Sequence, residues 1–301
     1  MRGILMRISR SALLVLIGTM AFSAAAVADE APAGGTMLDK GMAMFDSGKL
    51  LATGGVSNVE GAGGGGLATW ALISGYGTRD GVGLNGHFTY VNTDDYALWT
   101  EGVAVGLFDR VELSYARQTF DTEKVVGGLK IDQDVFGAKV KIIGDAVYDQ
   151  DSWIPQIAAG IQYKHNDRGW LVNSLGAKSD GTDYYVSATR LFLAQSLLVN
   201  ATLRETKANE FGLLGFGGAK HDDYSSQFEG SAAYLFSRKF AVGAEFRTKP
   251  DNIGVHEQDA WDVFAAYFFT KNISLTAAYV DLGNILVGEQ KGEYVSLQVG
   301  L

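Results

Sequence analysis

Cysteine is absent from the 301 residues, proline occurs 3 times and histidine 4 times. Without Cys there is no disulfide framework, no thiolate metal site and no cysteine to carry a lipoprotein anchor. Beyond the first 28 residues no apolar run reaches about 18 residues, which excludes a membrane-crossing helix. Positive charge is in deficit. The chain carries 25 Lys and Arg against 34 Asp and Glu, a net of −9. Segment 1–28 holds Arg2, Arg7 and Arg10 and no acid, so its removal takes −9 to −12. Nucleic acid is therefore not expected as a partner.

What is present is glycine, 39 residues of it, within a sequence that is 47% hydrophobic. The three arginines precede an apolar stretch from Ala12 to Phe22, and small residues then run to Ala28. That anatomy predicts a signal peptide over 1–28 for the general secretory route. Residues 29–48 are expected as a periplasmic N-terminal segment. Within it 36–49 could form a short helix, with Met37, Met42, Met44 and Phe45 as its apolar contacts.

"GAGGGG", Gly61 to Gly66, satisfies G-x-G-x-x-G, but no helix-forming stretch follows it, so a phosphate cradle is not supported. A glycine turn between two extended segments is the expectation, placed outside the cell.

The rest of the chain reads as segments of roughly 10 residues in which apolar and polar side chains alternate, the mark of a sheet with two unlike faces. In "RVELSYARQ", Val111, Leu113 and Tyr115 oppose Glu112, Ser114 and Gln118. In "SLLVNATLRET", Val199, Ala201 and Leu203 oppose Asn200, Thr202 and Arg204. Strands are expected near 49–59, 67–78, 81–93, 97–108, 110–119, 134–143, 153–165 and 182–192, then 195–206, 225–236, 239–249, 258–269, 272–283 and 291–301. Short joins beside aromatics, such as "LFDR" and "LFSRKF", alternate with longer ones at 120–134, 165–182, 207–224, 248–258 and 283–291. The fold class that follows is all-β: a transmembrane antiparallel up-and-down β-barrel over 49–301, with about 14 strands and 12 as the alternative. Closure is required, because an open edge in lipid leaves backbone groups unpaired at several kcal/mol each.

Through the signal segment, the alternating strands and the last strand "EYVSLQVGL", the chain resembles Gram-negative outer-membrane β-barrel proteins. "LLATGGVSNVEGAGGGGLATWALISGYGT" and "GVAVGLFDRVELSYARQ" are similar to a bacterial family catalogued only as a domain of unknown function. The first resemblance implies a location in the Gram-negative outer membrane. It also implies contact with outer-membrane lipid and lipopolysaccharide, and dependence on barrel-assembly machinery and periplasmic chaperones. Its strand count resembles fatty-acid-type channels, in which an N-terminal segment plugs the barrel; 36–49 would take that place here, a flexible tail being the alternative.

In such a barrel the polar face points inward. Candidate lumen residues are Glu112, Gln118, Lys139, Lys141, Lys164, Arg204, Glu229, Glu245 and Arg247. A dry interior would have to pair each charge at a desolvation cost, whereas a water-filled lumen need not. A wet channel for an unidentified small solute is therefore the expected function, with ion pairs filling a closed interior as the alternative. In loop 207–224, Phe211, Leu213, Leu214 and Phe216 could fold inward as a constriction. No cofactor is expected and no metal: Asp94 with Asp95, and Asp222 with Asp223, lack ligand-loop spacing. Neither G-x-S-x-G nor H-E-x-x-H occurs around His87, His165, His221 or His256, so catalysis is not expected. A rim-located lipid-modifying enzyme stands third, behind a non-conducting structural or partner-binding barrel.

Overall fold

The computed structural model describes residues 48–301 apart from 55, 124 and 126. The expected signal peptide, segment 29–47 and most of the 36–49 helix lie outside the described residues.

Twelve strands close into one barrel. They are β3 (Val82–Thr93), β4 (Ala97–Leu107), β5 (Val111–Asp121), β6 (Lys130–Ile143), β7 (Gln156–Asn166) and β8 (Asp180–Phe192), followed by β9 (Leu197–Thr206), β10 (Ser225–Ser237), β11 (Phe240–Arg247), β12 (Ala260–Phe268), β13 (Ile273–Ile285) and β14 (Gly288–Gly300). Sequential strands pair antiparallel, and β14 closes on β3 with Tyr294 opposite Val91. The count is thus twelve rather than fourteen. Segments 49–59 and 67–78 are not wall strands; they lie inside, and contain only the short pair β1 (Val56–Ser57) and β2 (Gly63–Gly64). The physical reason is patterning: neither segment keeps an apolar face opposite a polar one, so neither offers a continuous lipid-facing side.

The wall strands are inside out relative to a soluble sheet. In β9, Leu203 is 64% exposed while its neighbour Arg204 is 1% exposed. Val103, Leu113, Val140, Ile161, Val186 and Val295 likewise cover the exterior. Aromatic pairs flank them, Tyr90 with Trp99 and Trp261 with Tyr279 towards one rim, Tyr234 with Phe236 and Tyr267 with Phe269 towards the other. An apolar belt between two aromatic girdles matches the solvent profile of a bilayer. The protein is an antiparallel transmembrane β-barrel. Among the described residues no helix is long and apolar enough to cross a membrane.

Both ends of the wall meet at one rim, here the near rim, where the Leu84 N–H donates to the Leu301 carbonyl at 2.9 Å. The near-rim joins are 108–110, 144–155, 193–196, 238–239 and 269–272; those at the far rim are 94–96, 122–129, 167–179, 207–224, 248–259 and 286–287. Join 167–179 carries the single-turn helix α1 (Gly169–Ser174). Two expectations about joins fail. The expected long join 283–291 is a tight turn, because β13 and β14 stay paired as far as Ile285 opposite Gly288, past a register shift between Asp281 and Asn284. Join 144–155 is long although it sits among tight turns; it folds back, with Ala146 and Val147 buried in the near-rim core.

The interior is layered. An apolar cluster near the far rim includes Val59, Leu67, Tyr96, Phe120, Phe211 and Ile285. A second, towards the near rim, includes Trp70, Leu72, Leu191, Phe264 and Phe268. Buried polar and charged groups fill the space between.

Candidate functional site: the plugged lumen

Residues 48–78 occupy the barrel as a plug. The plug starts at the near rim, where Lys49 pairs with Asp109 at 2.9 Å. It ends there too, with the Tyr76 N–H donating to the Leu301 carbonyl at 2.8 Å. Between these points the wall holds it mainly by its backbone. Glu112 accepts from the Gly63 and Ser74 N–H groups at 2.9 Å each. Glu245 accepts from Leu67 N–H and Glu229 from Thr69 N–H, both at 2.7 Å. Gln118 donates to the Val59 carbonyl and Gln156 to that of Ala71, at 2.7 and 2.6 Å. The Gln298 amide grips Ser57 from both sides, accepting from its N–H and donating to its carbonyl, each at 2.8 Å. A chain without regular secondary structure must satisfy its buried N–H and C=O groups somewhere, and here wall side chains do it.

The glycine run is therefore neither a phosphate cradle nor an extracellular turn. It is buried and closely approached: a Cβ on Gly65 would overlap the Glu245 carboxylate of the wall, and one on Gly64 the Ala68 carbonyl of the plug itself. At Gly75 a φ of +83° adds to contact with the Gly83 backbone.

All nine candidate lumen residues point inward and are buried. The structure brings six of them into two clusters. In one, Lys139 pairs with Glu112 at 3.0 Å while donating to the Gly63 and Leu72 carbonyls. The other is centred on Glu60 of the plug, which is fully buried. Its carboxylate meets Arg247 at 2.8 Å, Arg204 at 3.6 Å and Lys164. Lys164 and Arg204 also share Asp183, at 2.7 and 3.2 Å, and Glu229 pairs with Arg204 at 2.5 Å and with Arg247 at 3.4 Å. Burial alone would raise the Glu60 carboxyl, but Arg247, Lys164 and Arg204 outweigh it and hold the group well below the usual carboxylate range. Lys141 stands apart near the rim, paired with Asp109. Gln118 and Glu245 bind plug backbone as described, and Glu245 lies opposite Asp262 in the β11–β12 register.

The expected water-filled lumen is not what the described interior shows. It is packed, and most of its charges are paired, which was the alternative; Asp262, opposite Glu245, keeps one buried oxygen without a partner among the described residues. Once the plug supplies Glu60 and a set of backbone dipoles, most inward charges of the wall find partners without water.

Loop 207–224 folds inward. Glu210 and Phe211 take φ of +43° and +58°, a strained pair costing about 1–3 kcal/mol each. They turn the loop so that the Phe211 carbonyl accepts from Lys164 at 3.1 Å and from Gln133 at 3.2 Å, and its ring lies 4.3 Å beneath the Arg247 guanidinium. Leu213 and Leu214 join the far-rim cluster, and Phe216 packs over Gly181. Lys249 pairs with Glu210 at 2.5 Å in the same cap. Glu257, in join 248–259, has its carboxyl pushed well up by burial and by the nearby Glu210 carboxylate, against the pull of Lys249.

Sequence reasoning missed Glu60, Asp183, Gln156 and Gln298. For Glu60 a signal exists: it is the one acidic residue between Lys49 and Arg79. Of the histidines, His87 is buried in the wall opposite Gly102. His165 faces outwards near the far rim and meets Asp180 at 2.7 Å, but the adjacent Ser179 hydroxyl donates to Asp180 at 2.8 Å. Asp222 is engaged by Lys178 at 2.7 Å. Among the described residues no cluster of three or more His, Asp or Glu could hold a metal ion.

No curated protein matches the chain. Similar solved structures include the KdgM porin, at 12% identity and a TM-score of 0.49, covering 71% of this chain and 98% of that one. The NanC porin gives 12% and 0.49, over 72% and 100%. Outer membrane phospholipase A from Escherichia coli gives 10% and 0.44, over 71% and 92%. At these scores none of them bears on function. Residues 53–298 match the family described as "Protein of unknown function (DUF3034)", and the chain belongs to that family.

Proposed function

We propose that this member of a family without an assigned function is an outer-membrane channel closed by its own plug, passing small polar solutes when the plug is displaced. The observation that carries this reading is the chemistry of the wall. Its inward face is polar and charged of both signs, and it holds the plug by backbone hydrogen bonds that water can replace one for one. A barrel meant only to be filled gains nothing from buried ion pairs, since apolar residues of equal volume serve as well or better. With Arg204, Arg247 and Lys164 facing Glu229 and Asp183, the uncovered lumen would select ions weakly.

Planar-bilayer recording tests this. The full chain should be silent apart from rare openings, and a variant lacking 49–78 that still forms a barrel should conduct steadily. A deletion variant that folds yet stays silent sinks the channel reading. In the conducting variant, replacing Lys139, Lys141 and Lys164 by Glu should move the reversal potential towards cations.

A non-conducting structural barrel is the second reading, favoured by one observation: apolar clusters close the interior towards both rims. A rim enzyme is third. The His165–Asp180 pair at the lipid-facing surface is its support, and incubation with phospholipid or lipopolysaccharide tests it.

A further inference from the structure

On one side of the plug the wall changes character. Inward positions on β10 to β12 towards the near rim are Ala233, Leu235, Ala241, Ala266 and Phe268, apolar where the Glu60 side of the barrel is charged. Between them and the plug lies a cavity of about 50 Å³, bounded on the plug side by Gly65, Gly66 and Trp70. Two of the polar side chains at its margin have their hydrogen bonds elsewhere. Trp70 Nε1 donates to Ser231 at 2.9 Å, and the Gln298 amide donates to the Ser57 carbonyl at 2.8 Å and to the Ser296 hydroxyl at 3.0 Å.

We infer that this chamber is a binding site for a small uncharged hydrocarbon of about three or four carbons, distinct from the Glu60 cluster. Three properties set the ligand class. At roughly 10–15 Å³ per water, the volume accommodates about four water-sized groups, a chain of about three or four carbons and about a third of the roughly 150 Å³ that holds a benzene ring. The lining offers almost no polar surface, so water entering would forgo hydrogen bonds, and apolar cavities of this kind stay dry and take apolar guests. A charged or strongly polar guest would be desolvated without compensation. The floor is formed by the glycine run and one indole. A guest would therefore lie against the plug itself, on the face opposite its ionic anchor. This inference does not depend on whether the barrel conducts.

Xenon, an apolar probe small enough for the chamber, pressed into crystals of the full-length protein provides the test, read by its anomalous scattering. The expected result is a peak in the chamber between Trp70 and Ala266. It should be lost in Ala266→Leu, which fills the space, and retained in Ala232→Leu, which adds the same bulk on the lipid-facing side of β10. Should Ala266→Leu not assemble, Ala233→Val fills part of the chamber more gently and should weaken the peak. Xenon found only on the outer surface, no xenon at all, or a chamber peak unchanged in the filled variants would overturn the assignment.

Discussion

The knot around Glu60 and the chamber around Trp70 lie in one lumen and follow opposite rules. At the knot each charge meets more than one partner: Glu60 faces three cations, Arg204 three carboxylates, and Lys164 two carboxylates and a carbonyl. Such a cluster tolerates no loss, because removing one member leaves the others buried and uncompensated. The chamber is under-filled and neutral. Its wall side sets Ala233, Ala241 and Ala266 beside Leu235 and Phe268, and the loss or gain of a methyl group there is a matter of packing alone. The plug is thus anchored ionically at one place and lies slackly at another, which is how a stopper can be both fixed and releasable.

The comparison breaks most sharply at Glu60. Glu60→Ala should destabilise plug seating by about 3–5 kcal/mol. Hydrogen exchange should show the 57–76 amides opening while the wall strands remain protected. Equal loss of protection in β9 would mean that the knot supports the wall instead. Acid should mimic this change. The Glu60 pKa is depressed in the folded protein from an unfolded value of 4.5, so its contribution is fully present above about pH 4.5 and is lost progressively as pH falls below it. Plug protection should then fade on acidification and be unchanged between pH 6 and 8. A flat profile down to pH 3 would contradict the ionic anchor.

Gln298→Ala, away from the knot, removes both contacts to Ser57 and leaves buried backbone groups unpaired. A cost of about 1–3 kcal/mol is expected, visible as faster exchange at Ser57 alone. The smallest effect belongs to the chamber: Ala233→Val should be neutral or stabilising by up to about 2 kcal/mol in thermal unfolding. A clear destabilisation there would show the space to be tighter than the knot and would erase the contrast.

The wall was legible in the sequence because lipid makes a hard demand on one face of every strand. In β9 the order Val199, Asn200, Ala201, Thr202, Leu203, Arg204 states inside and outside residue by residue. The plug was not legible, since its hydrogen bonds run to side chains far away in sequence. Thr69 N–H reaches Glu229, and Ser57 reaches Gln298. Nothing local in "SNVEGAGGGGLAT" distinguishes a glycine turn in water from one pressed against carboxylates. The nine lumen candidates could be picked from alternation, and both members of the Lys139–Glu112 and Arg204–Glu229 pairs were among them. Glu60, on which three cations converge, lay just past the expected strand 49–59, where nothing marked it as inward. The tight join at 286–287 escaped for a different reason: the β13 irregularity near Gly283, at φ of +67°, breaks the alternation that marks a strand.

Because the wall grips main chain, the usual relation between side-chain identity and fitness is inverted over Gly61 to Gly66. There, what must be inherited is an absence of atoms, while the receptors, Glu112, Glu229, Glu245 and Gln298, are scattered over distant strands. Divergent copies of this barrel should therefore drift together in those wall positions while the glycines stand still, and a lineage that lost the stopper would be free to replace them.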